Sequence, residues 1–357
     1  LTDNSSNNKQ NLREKSPRKL TVAGLIVPLL LILGLVGFTF YQGFGKDDLH
    51  QAYKMTMDTS VELRFSPGSM PADQLEEEVF AEIVRLEKLF SRSLEDSDVS
   101  KVNAAAGLSS VQVSPEVLSV TGKALYYAEL TEGSFEPTIA PLIDLWGFLG
   151  QEYRVPEPEE LEKTLPFVDY SALEIDRDSK TLFLPQSEMG LELGGIAKGF
   201  IVDRAMEVLK KAEVEHAFIN AGGDIGLVGK NPDGELWRIG ITNPRETDQI
   251  IAVLSLKDCS VVTSGDYERS FEEDGEKYHH ILDPDTGMPA RELASVTIVA
   301  GTTLIADVLS TAVFVLGPQQ GLQLLEDLDQ VEGVLITPDL EVMVSSGLED
   351  KVEIAEE

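Results

Sequence analysis

Lys198-Gly199-Phe200-Ile201-Val202-Asp203-Arg204-Ala205-Met206-Glu207-Val208-Leu209-Lys210-Lys211-Ala212 reads as one helix, and His216-Ala217-Phe218-Ile219-Asn220-Ala221 soon after it reads as a strand. The next elements in the chain decide the architecture. Strand-like runs stand at 235–242, 250–256 and 259–263, with no helical pattern between them. A parallel sheet needs a crossover, usually helical, between successive strands. The order here is one helix and then a series of strands, so the expected class is α+β, with mixed helices and a mostly antiparallel sheet.

Upstream, residues 60–65 alternate like a strand. Pro71 and Asp73 open a helix whose apolar positions Leu75, Val79, Phe80, Ile83, Leu86 and Phe90 recur at helical spacing. Ser114-Pro115 places a cap before a first-turn proline and predicts a helix to Leu130. The acidic, proline-bearing stretch 156–160 reads as a surface loop, and 172–176 with 181–184 as a hairpin. Downstream, 295–300 reads as a strand, 302–314 as a helix ending at Gly317, and 334–337 with 341–344 as a closing hairpin.

The 357 residues are 42% hydrophobic and 25% charged, a globular balance. With 62 Asp+Glu against 29 Lys+Arg, the net charge of −33 repels nucleic-acid phosphates, so no nucleic-acid partner is expected. The lone Cys259 excludes an intramolecular disulfide and a cysteine-based zinc site. Its run, 259–262, reads as a buried strand in which the thiol is a small core hydrophobe.

Residues 1–19 are polar and carry Lys9, Arg13, Lys15, Arg18 and Lys19; the run from Leu20 to Tyr41 holds no charge. About 20 apolar residues suffice for a helix to cross a bilayer. Basic residues before the run favour a cytoplasmic tail at 1–19, a transmembrane anchor at 20–41 and an extracytoplasmic domain at 46–357. A cleaved signal peptide is the competing reading; the length of the run and its aromatic end at Phe38, Phe40 and Tyr41 favour the anchor.

Four constellations carry chemistry. Leu191-Glu192-Leu193-Gly194-Gly195-Ile196-Ala197-Lys198 runs from a strand through glycines into a helix. Free N–H groups at such a helix start suit a phosphate, yet the stretch lacks the P-loop pattern and reads as readily as a tight turn. Asn220-Ala221-Gly222-Gly223-Asp224 is a second glycine turn, open to the same two readings. Thr263-Ser264-Gly265-Asp266-Tyr267 precedes His279-His280-Ile281-Leu282-Asp283-Pro284. Adjacent strand residues point to opposite faces, so one histidine is expected to face a site and the other solvent. Last, Asp307 and Thr311 lie four apart in an apolar helix. The pair is either a polar helix face or part of a Mg²⁺ shell completed by water and phosphate oxygens.

Taken in order, these segments resemble the FAD:protein FMN transferase (ApbE) family from about Met57 to Val344. The resemblance also takes in Phe90-Ser91-Arg92 with Asp96-Ser97 and Asn103, Gly133-Ser134-Phe135-Glu136-Pro137-Thr138, and Leu145-Trp146-Gly147-Phe148. It implies an ApbE-like fold and a Mg²⁺-dependent reaction. The FMN half of FAD would pass to a Ser or Thr hydroxyl of a target flavoprotein, with release of AMP. FAD would thus be a substrate. The targets implied are subunits of membrane electron-transport complexes, of the sodium-pumping NADH:quinone reductase and Rnf types, whose acceptor sites face outward.

By the same resemblance Asp307, Thr311 and the carbonyl of Gly195 would hold Mg²⁺. Met57, Ser134, Phe135, Glu136, Glu192, Lys198 and Ile281 would line the FAD site, and His280 would take the acceptor proton. Two positions depart from the family pattern: Glu136 stands where Asp is usual, and Ser93 where an aromatic is frequent. Two rival activities share these residues, an FAD pyrophosphatase and a flavin-binding surface protein without turnover.

Overall fold

The computed structural model describes residues 49–150 and 152–355; the tail and anchor expected at 1–41 lie outside the described residues. In chain order the elements begin with the hairpin of β1 (His50–Thr56) and β2 (Thr59–Phe65). Helices α1 (Ala72–Phe90) and α2 (Asp98–Ala104), strand β3 (Val111–Gln112), and helices α3 (Pro115–Leu130), α4 (Ala140–Trp146) and α5 (Pro158–Thr164) follow. Next come β4 (Glu174–Asp176), β5 (Thr181–Phe183), α6 (Gly194–Lys211), β6 (Ala217–Ala221), β7 (Asp224–Val228), β8 (Trp237–Thr242) and β9 (Ile250–Leu256). The remainder is β10 (Ser260–Gly265), β11 (Ser270–Glu273), β12 (Glu276–His279), β13 (Ser295–Ala300), α7 (Thr303–Asp327), β14 (Glu332–Ile336), β15 (Val342–Val344) and β16 (Val352–Ile354).

Eight strands form the main sheet in the order β1-β2-β6-β7-β10-β13-β14-β15, every neighbouring pair antiparallel. Smaller antiparallel groups are β16-β9-β8, β3-β5-β4 and the β11-β12 hairpin. The α+β class with an antiparallel sheet is thus the observed one.

Helices α6 and α7 pack against each other and against this sheet. Their apolar faces supply much of the core: Ile196, Ile201, Val202, Ala205 and Leu209 from α6, and Leu304, Val308, Leu309, Ala312 and Val313 from α7 are all buried. Each large apolar side chain among them contributes about 1.5–3 kcal/mol by leaving water. Two residues one turn apart on α6 fix the crossing. A Cβ on Gly199 would lie 2.4 Å from the Thr303 carbonyl oxygen, so the contact excludes any larger residue. The Asp203 carboxylate accepts from the backbone N–H groups of Thr303 at 2.6 Å and Leu304 at 3.0 Å, satisfying free donors at the start of α7.

A second, smaller core joins α4, α5 and the β11-β12 hairpin. Leu142, Trp146, Phe148, Leu161, Tyr278 and Leu282 are buried in it, and the Trp146 indole N–H donates to the Gly287 carbonyl at 2.8 Å.

Several sequence expectations are corrected. Stretch 156–160 is not all loop: Pro158 opens α5, and Glu160 turns back to accept from the Glu157 N–H at 2.9 Å, closing the helix start. The helix expected at 302–314 continues to Asp327. Gly317, at φ +77°, breaks it, and Pro318 starts a second helical segment at once. Cys259 lies in the turn before β10 and is half-buried, because Asp258 at φ +48° reverses the chain there. Among the described residues α7 has the length and composition to cross a membrane; its buried positions belong to the core just described.

Candidate active site

The β1-β2 and β6-β7 turns, the start of α6, the middle of α7, the end of β10 and the chain leaving β12 converge on one cleft of about 390 Å³. Met57, Ser134, Phe135, Glu136, Glu192, Gly195, Lys198, His280, Ile281, Asp307 and Thr311 all line it. Residues from Met57 to Thr311 in the chain are therefore neighbours in space.

The floor of the cleft is charged. Lys198 Nζ lies 2.7 Å from Asp224 Oδ1, and Asp224 is wholly buried. Burial opposes the lysine charge, but Asp224 and Asp307 outweigh it and hold the ammonium above its ordinary range. Burial pushes the Asp224 carboxyl up. It pushes Asp307 up well above the usual carboxylate range, with the charge of Asp224 adding to it. Asp307 Oδ2 accepts from the Gly199 N–H at 2.9 Å, a bond that α6 and α7 permit only because Gly199 lets them touch.

Gly195 closes the third side of this floor. A Cβ there would lie 3.3 Å from Thr311 Oγ1 and 3.3 Å from the Phe135 ring, so its backbone sits against both. A carboxylate, a hydroxyl and a backbone carbonyl are hard oxygen donors. Among the described residues no group of three His, Cys, Asp or Glu side chains stands together to hold a metal. One carboxylate with neutral oxygens, completed by a ligand's phosphates, is how Mg²⁺ is commonly held. The donor set fits that ion.

Glu192 serves the start of α6, accepting from the Gly194 N–H at 2.7 Å. Its other oxygen takes the Arg92 guanidinium at 2.8 Å, and Arg92 reaches Asp144 at 2.6 Å. Arg92 thus ties α4 to the glycine loop that opens α6. Glu136 borders the cleft, yet its carboxylate is already engaged: Oε1 accepts from Thr138 N and Oγ1, both at 2.7 Å, within its own loop, and Oε2 from the distant Tyr170 N at 3.0 Å. Burial raises its pKa.

His280 is the first residue beyond β12 and lines the cleft, its backbone N–H donating to the Arg269 carbonyl at 3.1 Å. Burial, with the Arg269 charge adding, lowers the imidazole to about 3, so it is neutral near pH 7. His279 departs from expectation. It does not face solvent but is 4% exposed, with Nε2 2.7 Å from the Ala290 carbonyl and its ring edge-on to Phe314 at 5.5 Å. Alternation did send the two rings apart, but α7 and the chain around Ala290 cover the far side.

Arg92 and Asp224 were not singled out as site residues from the sequence. Asp224 had a signal, a charge directly after Gly222-Gly223 at the head of an apolar strand; for Arg92 only its place in the Phe90-Ser91-Arg92 segment pointed to it.

The ApbE family profile matches residues 57–335. A FAD:protein FMN transferase of Treponema pallidum (strain Nichols) is 37% identical over 293 residues, covering 78% of this chain and 81% of that protein. One from Klebsiella pneumoniae (strain 342) is 35% identical over 278 residues, covering 77% and 85%. The crystal structure of the ApbE protein of Thermotoga maritima superposes with a TM-score of 0.80 at 34% identity, covering 85% of this chain and 99% of that one. The flavin transferase ApbE of Vibrio cholerae gives 0.76 at 30%, covering 85% and 99%. The family profile, these relatives and the shared fold all run along most of its length: the chain belongs to the ApbE family.

Proposed function

We propose that this protein is an FAD:protein FMN transferase that joins the FMN half of FAD to a Ser or Thr hydroxyl of a target flavoprotein and releases AMP. The observation that carries the reading is the cleft itself. A lysine, the glycine-bearing start of α6, a hard-oxygen donor set and a neutral imidazole all open onto it.

In this reading the diphosphate of FAD lies over Lys198 and the first turn of α6, where the ammonium offsets its charge and the glycines let it approach the backbone. Met57, Phe135 and Ile281 supply apolar contact for the rings. Asp307, Thr311 and the Gly195 carbonyl would hold Mg²⁺, whose charge would offset that of the diphosphate and the leaving phosphate. The acceptor oxygen forms a new bond to the FMN phosphorus as the bridging P–O bond breaks, and the electron pair leaves with AMP. His280 takes the hydroxyl proton. Its imidazole is neutral and so free to accept, and an anionic diphosphate beside it raises its basicity. Transfer of this kind depends mainly on position and charge neutralisation, which this cleft provides.

The membrane anchor at 20–41, which rests on the uncharged run and the basic residues before it, and outward-facing targets, which rest on the family resemblance, complete the proposal. Washed membranes should retain the protein through carbonate extraction, and its appearance as a shortened soluble chain would overturn the anchor. The activity is tested by co-expression with a candidate acceptor. Intact mass should rise by FMN less water, with AMP formed in equal amount. Release of free FMN with no labelled acceptor would replace the transferase with a pyrophosphatase, and failure to form AMP would leave a flavin binder.

A further inference from the structure

The first turn of the sheet is made from residues that resist its shape. β1 and β2 pair as far as Thr56 and Thr59, leaving a two-residue loop, Met57-Asp58, with φ of +54° and +55°. Two left-handed residues between antiparallel strands match the type I′ pattern, which favours Asn-Gly or Asp-Gly. A side chain with a Cβ is disfavoured at both places. The neighbouring β6-β7 hairpin makes the same two-residue turn from Gly222 and Gly223, at +61° and +98°. The two turns touch, since a Cβ on Gly222 would lie 2.4 Å from Thr59 Oγ1. Met57, Asp58, Thr59 and Gly222 all border the cleft.

Glu87, in the last turn of α1, grips the strained turn from below. Its Oε1 accepts from the Met57 N–H at 2.6 Å, and its Oε2 accepts from the Thr56 hydroxyl at 2.5 Å. One carboxylate thus holds the residue before the turn and the first residue in it. In the glycine turn the corresponding bond is local and single: Asn220 Oδ1 accepts from the Gly223 N–H at 2.9 Å.

We propose that Glu87 is a positioning residue that clamps the Met57-Asp58 turn in its left-handed form, so that Met57 is presented ready-made to bound FAD. The proposal rests on the reading of the cleft as an FAD site. A pre-formed wall reduces the ordering that binding must supply. The effect therefore falls on FAD affinity and hardly on turnover, because neither Glu87 nor Met57 exchanges a proton or bond with substrate.

The test crosses Glu87→Ala and Glu87→Gln with Asp58→Gly in the full chain. FAD affinity is read by flavin fluorescence, kcat and KM by AMP release, and backbone exchange across 50–65 by mass spectrometry without FAD. Glu87→Ala should weaken FAD binding and raise KM by about 5- to 50-fold, the range for a lost buried hydrogen-bond partner, with kcat within about threefold. Glu87→Gln should recover most of this, since its carboxamide oxygen accepts from Met57 and its NH₂ donates to the Thr56 oxygen. In the Asp58→Gly background the turn is relaxed, and Glu87→Ala should cost under about threefold, a coupling that a general loss of packing does not give. An equal loss in both backgrounds overturns the clamp. So does unchanged exchange of the β1-β2 amides in Glu87→Ala. If the wild-type protein binds no FAD, the reading of the cleft falls, and exchange alone judges the clamp: a rise in Glu87→Ala that Asp58→Gly suppresses upholds it, and no rise overturns it.

Discussion

The charged floor of the cleft and the aromatic cluster behind its Phe148 wall form two sides built on opposite terms. On one side Asp224 and Asp307 sit buried, with Lys198 half-buried beside them, among the apolar residues of α6, α7 and β7. On the other, Trp146, Phe148, Tyr153, Phe271 and Tyr278 stack on one another, with ring centroids from 5.4 Å (Trp146–Tyr278) to 6.4 Å (Trp146–Phe271). Buried charges are costly even when paired, whereas clustered aromatic rings are among the strongest sources of stability. The aromatic side therefore holds α4, α5 and the β11-β12 hairpin together, while the charged side, in the proposed function, serves the chemistry.

The widest gap between the two sides should appear at Asp307. Asp307→Asn keeps an acceptor for the Gly199 N–H while removing the charge. Metal-dependent FAD turnover should vanish, and the melting temperature without ligand should hold or rise. A clear drop in that temperature would mean the carboxylate is structural, and the contrast would fail.

His280→Asn should slow transfer by about 10²–10⁴-fold with FAD still bound, the usual range for a lost general base. Since burial holds the free imidazole low, at about 3, kcat/KM should climb with pH and level off below pH 6.5. The variant should flatten that limb. A wild-type profile in His280→Asn would remove the base assignment.

On the aromatic side, Trp146→Ala should cost about 3–5 kcal/mol in urea unfolding, as for other buried aromatic truncations. A cost under about 1 kcal/mol, the size of an ordinary surface change, would show that the rings are not a stabilising unit.

The smallest effect concerns His279. Burial lowers its imidazole from 6.5 to about 4, so it stays neutral in the folded protein while the unfolded chain takes up a proton. Stability is then full above pH 6.5 and declines as pH falls towards 4, by on the order of 3 kcal/mol at most. His279→Gln should shrink this acid slope in equilibrium unfolding, and an identical slope would exclude His279 as its source.

Local patterns were readable in the sequence and distant pairings were not. Helix α3 announced itself through Ser114-Pro115, and the Ser114 hydroxyl does accept from the Val117 N–H at 3.3 Å. Helix α1 was visible in its apolar spacing, and all six of its predicted positions are buried. Strand β1 was hidden, because only Ala52 and Thr56 of its seven residues are buried and edge strands show little apolar alternation. The helical state of 158–164 needed the return of Glu160 to the Glu157 N–H, which competes with a plain proline loop.

The site divides in the same way. Asp307 stood out as a carboxylate in an apolar helix, where a charge demands a partner. That Lys198 would meet Asp224, on another element, could not be read from spacing. Nor could the covering of His279: alternation gives the side a residue faces, but not what lies there. The aromatic side was least legible, since residues 146–153 meet Phe271 and Tyr278 only after the hairpin folds back on α4.

The register of the main sheet has a consequence for how the molecule is made. Phe65 pairs with Ala217 and Val61 with Ala221, so β2 waits for a strand more than 150 residues further along the chain. Asp307 and Thr311 emerge later still. Pairings so distant in sequence close slowly, because a long loop must be ordered before any contact repays it. During synthesis the early hairpin has no finished sheet to join until β6 and its neighbours have appeared. A chain that crosses a membrane as it grows would therefore complete its sheet only near the end of translocation, with β1 and β2 the longest-waiting elements and the most dependent on protection from stray pairing.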